Sequence, residues 1–354
     1  MNVSLRAIAE RAGCSRATVS YALNHSKQVS AATRERVHVI AREMGWIPNP
    51  ELARQMQITR RTRSDFSLPP LGIVSCLPEQ KNSGQGSIVA LTEGAIDYAE
   101  RLGFTVNFLN VSVEGISPNR MKSILTSRGV EGLVFMGTVL PEIPREYLEA
   151  AQGFAVSIAG HSNASLPYHG ALPDLLAAGE MAIKNIHAHG YRRVASLITE
   201  SVDSPLRWGF EAGVTMGLKE SGFGDTLPVM RMGITDDSYD ALEDTIFDMR
   251  PDSLLGLDYH RSLRLQQRLR AKGLDIPLFA LDYFPEHQVE GGIDLMHRRV
   301  GRAAVELVVN QLNTAETGVP EIQLSLNVEG VWRDHPTAAS VVKKGKAKKQ
   351  RPRT

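Results

Sequence analysis

Residues 4–24, SLRAIAERAGCSRATVSYALN, constrain this chain more than any other stretch, because they read as two short helices broken by a tight turn. Leu5, Ile8, Ala9 and Ala12 stand at i, i+3, i+4 and i+7, the spacing that lays one apolar stripe along a helix of about two turns. Gly13 ends that helix and Cys14 fills the turn. Ser15 suits the N-cap of a second helix, whose Val19 and Leu23 face inward and whose Arg16, Ala17, Ser20 and Tyr21 are left facing out. In a helix-turn-helix the second helix enters a major groove N-terminus first and offers such positions to base edges. The hydroxyls of Ser15, Thr18 and Ser20 can reach phosphates from the same end.

A third amphipathic segment follows, capped by Ser30, with Val37, Ile40, Ala41 and Met44 on one face and Gly45 placed to terminate it. Three such helices close a small core. The run 4–24, the block VSAATRERV at 29–37 and GWIPN at 45–49 together resemble the LacI/GalR family of bacterial transcription regulators. A helix-turn-helix pattern alone has many false positives, whereas three blocks at this spacing are specific. The plain alternative is a three-helix module that binds protein or only rigidifies the fold.

The resemblance implies a DNA surface made of Ser4, Leu5, Ser15, Arg16, Ala17, Thr18, Ser20, Tyr21, Asn24, His25, Asn49, Ala53 and Met56. Arg16 is the residue expected to read a guanine, and Tyr21 stands where many members carry a second base-reading arginine. The operator is therefore expected to differ from the commonest one in the family. After Asn49 and Pro50, PELARQMQ is helical in composition but too short to be stable alone in water. The resemblance makes it a hinge helix at about 50–57 that orders on DNA and wedges an apolar side chain into the minor groove. Leu52, Ala53 and Arg54 stand one residue later than in the family pattern, which makes Met56 the expected wedge.

The net charge of +1 conceals a strong asymmetry. Residues 1–63 carry 11 Lys and Arg against 4 Asp and Glu, residues 343–354 carry 7 basic residues and no acid, and the stretch between them carries 22 basic against 35 acidic residues. A basic head on an acidic body suits a polyanion at one end only. Two cysteines, Cys14 and Cys76, fall in different expected domains, so reduced thiols rather than a disulfide are expected. No run of eighteen apolar residues and no leader-like N-terminus occur, which leads to an expectation of a cytoplasmic protein without a membrane partner.

From about Leu71 short apolar runs alternate with amphipathic stretches. LGIVSCL, FTVNFLNV and VEGLVFMG read as strands around helices at 88–102 and 120–126, a β-α-β-α-β order that implies a parallel sheet with right-handed crossovers. FAVSIAG, RRVASLI, LPVMRM, SLLGLD and LFALD, with helices from Asp174 to His189, at 208–221, at 239–249 and at 263–272, read as a second such sheet. The expected fold class is thus an α helix-turn-helix head plus an α/β periplasmic-binding-protein-like body of two doubly wound parallel-sheet lobes. Ligands in open α/β sheets sit beyond the carboxyl ends of the strands. GVEGLVFMG, HGYRRVASL, PDSLLGLD and ALDYFP extend the resemblance through the body. It implies that Asp282 hydrogen-bonds ligand hydroxyls, that Asp258 and Tyr259 occupy the family's Asn-Asp pair, and that Arg207 is the nearest candidate for the ligand-clamping arginine. Alignment on Gly213 would put Phe210 there instead, and any of these carboxylates could equally be a helix cap.

Signals of chemistry are weak. Gly84-x-Gly86 lacks the third glycine of a dinucleotide fingerprint, and no phosphate loop or Gly-x-Ser-x-Gly elbow occurs. Ser340-x-x-Lys343 opens a lysine-rich tail, His187 and His189 point to different faces of one helix, and His161 and His169 are expected in a loop as exposed or ligand-lining imidazoles. The expectation is a non-enzymatic, homodimeric regulator without cofactor or metal. It binds a near-palindromic double-stranded operator, with an affinity set by a small carbohydrate in the cleft, and acts as a repressor. Its expected domains are a head at 1–58, a linker at 59–70, the body at 71–336 and a basic tail at 337–354, either a disordered end or an added attraction to DNA. An enzyme on the same two-lobed fold, and a ligand-independent DNA-binding protein whose body docks a protein partner, are the rival readings.

Overall fold

The Ser4 hydroxyl accepts the Ala7 N–H at 3.2 Å and so starts α1 (Leu5–Ala12). Gly13 ends it at φ +63°, a left-handed conformation that costs glycine little and returns its N–H to the Ala9 and Glu10 carbonyls. In the second helix, α2 (Arg16–Leu23), the Ser15 hydroxyl accepts the Thr18 N–H at 3.0 Å. Ser30 caps α3 (Ala31–Glu43) in the same way. Ile8, Ala9, Ala12, Val19, Ala22, Val29, Val37 and Ala41 are buried together, with Leu5, Leu23, Ile40, Met44 and Trp46 partly buried around them. This computed structural model describes residues 4–23, 29–46, 68–77, 85–137, 143–160, 167–199, 208–222, 227–233 and 238–335.

The first lobe begins with β1 (Leu71–Ser75), α4 (Gln85–Arg101), β2 (Val106–Asn110), α5 (Pro118–Ser127) and β3 (Gly132–Gly137). It continues with α6 (Arg145–Ala150), β4 (Ala155–Gly160) and β5 (His169–Pro173). Strands β1, β3 and β4 are buried at every position, as strands covered on both faces must be. At Asp174, which caps the next helix through the Ala177 N–H at 3.0 Å, the chain crosses to the second lobe. There it forms α7 (Leu175–Ala188), β6 (Val194–Thr199), α8 (Gly209–Glu220), β7 (Met230–Met232), α9 (Ser238–Met249), β8 (Ser253–Gly256), α10 (Tyr259–Ala271), β9 (Leu278–Ala280) and β10 (Gly291–Asp294).

The chain then returns. The helix α11 (His297–Thr314) packs on α4 and on β4 in the first lobe, β11 (Ser325–Val328) joins β5, and β12 (Val331–Asp334) closes the second sheet antiparallel to β10. The strand orders are β11-β5-β4-β3-β1-β2 and β12-β10-β9-β8-β6-β7, each with parallel neighbours except at β12. The first and third crossings, after β5 and after β11, run side by side, since the Asp174 N–H donates to the Val328 carbonyl at 2.9 Å.

FAVSIAG was expected in the second sheet, yet β4 pairs with β3 over Gly132↔Ala155 to Gly137↔Gly160, so the first lobe keeps two more strands before the chain crosses. His169 was expected in an exposed or ligand-lining loop, but it opens β5, is buried, and its Nδ1 accepts the Leu324 N–H at 2.9 Å. The two cysteines are free thiols, as expected, and burial, then the Glu146 charge, pushes Cys76 up to about 12. Among the described residues no helix is long and apolar enough to cross a membrane.

Candidate nucleic-acid interface and effector cleft

In the head, Arg16 and Ser15 are exposed at the start of α2, Tyr21 is 44% exposed one turn further on, and Thr18 is half-buried between them. Ala22, which pattern reading passed over, is fully buried, because it lies on the same face as Val19. Capping occupies part of the hydroxyl surface expected to meet phosphates. Ser15 Oγ accepts the Thr18 N–H and lies 2.9 Å from Thr18 Oγ1, so one of the two hydroxyl hydrogens is shared and the other stays available to an anion. The Arg16 and Ala17 N–H groups, in the first turn, have no intrahelical acceptor and add a positive helix end to it. Ser4 is exposed and Leu5 half-buried at the start of α1. Asn24, His25, Asn49, Ala53, Met56 and the whole of the expected hinge helix lie outside the described residues, as do the side chains of Ala17 and Ser20.

The two lobes meet between the first turn of α4 and the segment that follows β9. Ser87, in the first turn of α4, donates its hydroxyl to Asp282 Oδ2 at 2.8 Å, and Asp282 follows β9. The other carboxylate oxygen, Oδ1, lies 2.8 Å from His297 Nε2. Desolvation alone would raise the Asp282 carboxyl, but the charge and hydrogen bond of His297, the Ser87 hydroxyl and His287 together hold it below the ordinary carboxylate range. Burial works against the charge of His297 too, and is outweighed by Asp282 and Asp294, so that imidazole lies above its ordinary value. Burial pushes the nearby His287 down.

Asp258 is the N-cap of α10: its Oδ1 accepts the Arg261 N–H at 3.1 Å and its Oδ2 lies 3.2 Å from Arg261 Nε. Tyr259 stacks on His287 with ring centroids 3.7 Å apart, and its hydroxyl oxygen accepts the Gln288 N–H at 2.8 Å. Phe210 is fully buried among the side chains of α7 and α8, which takes it out of the cleft. Arg207 lies outside the described residues. Sequence reading missed Ser87 and His297, which sit in a helix start and after a strand it did not identify. It also missed Thr199, whose buried Oγ1 at the end of β6 makes no hydrogen bond among the described residues. Among the described residues no group of three or more His, Cys, Asp or Glu could hold a metal ion.

Residues 4–49 match the sequence model of the bacterial regulatory proteins, lacI family, over the same three blocks that build the head. This segment is thus a lacI-family DNA-binding head in sequence. The chain is 24% identical over 354 residues to the HTH-type transcriptional regulator CelR of Thermobifida fusca, covering 92% of this chain and 98% of the relative. With the HTH-type transcriptional regulator DegA of Bacillus subtilis (strain 168) it shares 22% over 200 residues, 56% of each chain. In fold it is similar to a structure described as the transcriptional regulator CelR-cellobiose complex, with a TM-score of 0.54, 20% identity, and coverage of 94% of this chain and 98% of that one. It is similar to the same degree, TM-score 0.54 at 18% identity, to a lac repressor dimer bound to operator and the anti-inducer ONPF, covering 96% and 99%. These likenesses make the helical head and the pair of parallel-sheet α/β lobes a LacI-type architecture.

Proposed function

We propose that this protein is a homodimeric, sequence-specific DNA-binding regulator, acting as a repressor in the cytoplasm, whose operator affinity is modulated by a small polyhydroxy ligand bound between its lobes. The observation that carries the reading is the exposed start of α2, where Arg16, Ser15 and a helix N-terminus share one surface of a folded head. Arg16 pairs with a guanine, Tyr21 reads a second base step, and Ser15 or Thr18 donates to a phosphate. The boundaries proposed are a head to residue 58, a linker to residue 70, the body to residue 336 and a basic tail beyond it. Coupling of about 1 to 3 kcal/mol between cleft and head suffices to switch such a regulator. The similarity in fold to CelR in complex with cellobiose, a disaccharide, supports the choice of a polyhydroxy ligand.

Binding-site selection with the full-length protein on random duplexes tests the reading. A near-palindromic consensus is expected; absence of any preference at moderate ionic strength overturns it. A second reading has its own support: Asp258 is engaged by its helix and Asp282 by Ser87 and His297, which suits a DNA-binding protein that needs no cleft ligand and docks a protein partner. Thermal-shift screening with mono- and disaccharides separates the two, because a ligand that binds only the folded body must raise its melting temperature.

A further inference from the structure

The contacts around Asp282 form one compact group that joins the lobes. The carboxylate comes from the second lobe, after β9, while Ser87 on α4 and His297 at the head of α11 belong to helices packed on the first-lobe sheet. Asp282 bridges them through both oxygens, at 2.8 Å in each case. Phe284, two residues on, lays its ring parallel to that of His297, 7° between planes and 6.0 Å between centroids. The same ring lies against Gly86, where an added Cβ would stand 3.1 Å from Phe284 Cε1. The Asp282 side chain keeps only 21% exposure and His297 keeps 7%, so neither partner is freely solvated. Directly before His297 the chain crosses between lobes through Met296, held at φ +55° with its N–H donating to Asp294 Oδ1 at 2.9 Å.

We propose that Ser87, Asp282 and His297 form an interlobe clasp that holds the cleft closed in the ligand-free protein. A charge-assisted bond shielded from water is stronger than its exposed counterpart, and here two such bonds share one carboxylate. Loss of either therefore leaves a partly buried carboxylate short of a donor, which favours separation of the lobes. The proposal concerns the regulation of the cleft assigned above, but it invokes neither DNA nor sugar.

Full-length protein with Cys14 and Cys76 replaced by alanine, carrying a donor and an acceptor dye at Lys122→Cys on α5 and Lys219→Cys on α8, reports lobe separation by energy transfer. Mixing with an excess of unlabelled protein removes transfer between subunits. A single high-transfer population is expected without ligand, and Ser87→Ala should lower the closed-to-open ratio about tenfold. Ser87→Thr, which keeps the hydroxyl, should restore it, and Asp282→Asn should open the lobes with either residue at 87. Circular dichroism confirms that each variant is folded. An unchanged distribution in folded Ser87→Ala and Asp282→Asn overturns the clasp, since it places these contacts at a pivot that survives opening. That result would leave the operator-selection outcome untouched, and a failed operator selection would leave this one untouched.

Discussion

A Cβ added to Gly94 would stand 2.1 Å from the Arg298 carbonyl oxygen, so α4 and α11 meet backbone to backbone at this point. Gly301 repeats the relationship from the other side, 2.0 Å from the Leu91 carbonyl oxygen. Arg298 locks the pair further through ion pairs to Glu93 and Asp97. Any side chain at residue 94 must push apart the helices that set the positions of Ser87 and His297. Gly94→Ala is expected to destabilise the body by at least about 1 to 3 kcal/mol, the usual cost of overpacking. Urea denaturation measures it, and an unchanged midpoint would refute the close packing.

In the head, Ser15 serves the helix and the expected phosphate contact at once. Ser15→Ala removes the cap on Thr18 and should cost about 1 kcal/mol of head stability. It should also weaken binding to all duplexes alike. Arg16→Ala should instead relax one base position, worth roughly 1 to 3 kcal/mol of discrimination, at nearly unchanged head stability. Selections with both variants decide between the roles, and an unaltered consensus with Arg16→Ala would exclude base reading by this residue.

The Asp282–His297 pair gives stability a definite pH dependence. His297 is raised in the folded state, so its contribution is complete below the ordinary imidazole value of 6.5 and is lost as pH rises through the raised value. Asp282 is lowered, so its contribution is present above the ordinary 3.8 and is lost as pH falls through the lowered value. The groups facing the pair are Ser87, His287 and Asp294, with Phe284 stacked on the imidazole. Unfolding free energies between about pH 4 and 9 should show a weakly acidic plateau that declines on the alkaline side, and His297→Gln should flatten that decline. An alkaline decline of the same size in the variant would assign it to other groups.

Association has a candidate surface at one edge of the first sheet. Phe108 on the edge strand β2 is 46% exposed, and Val113 beyond it and Val89 on α4 are each 50% exposed. Exposed apolar side chains on an edge strand favour burial against another surface. Phe108→Asp is expected to shift a dimer towards monomer in sedimentation velocity and to weaken operator binding, which needs two heads. A dimer of unchanged affinity would move the interface elsewhere.

The head was legible from residue order because its determinants are local. Ser4, Ser15 and Ser30 each cap a helix through an N–H three residues on, and Ile8, Ala9, Ala12 and Val19 fall at helical spacing on faces that only a small helical core can bury. The alternation of buried strands and helices in the body was legible for the same reason, since each strand and helix carries its own period. The capping of α10 by Asp258 likewise rests on a contact only three residues long.

Membership of a lobe was not legible, because β-α-β units in both lobes obey one local grammar. Nothing near β4 in the chain says whether its partner is β3 of its own lobe or a strand of the next, and pairing was settled by packing across distant segments. The site followed the same rule: Ser87 and Asp282 are 195 residues apart, and His297 joins them only because α11 returns to the first lobe. Residue order thus dictated what each segment would become, through contacts a few residues long. Which segments would meet was decided by the folded whole, where burial of apolar faces brings remote polar groups together and leaves them to find partners.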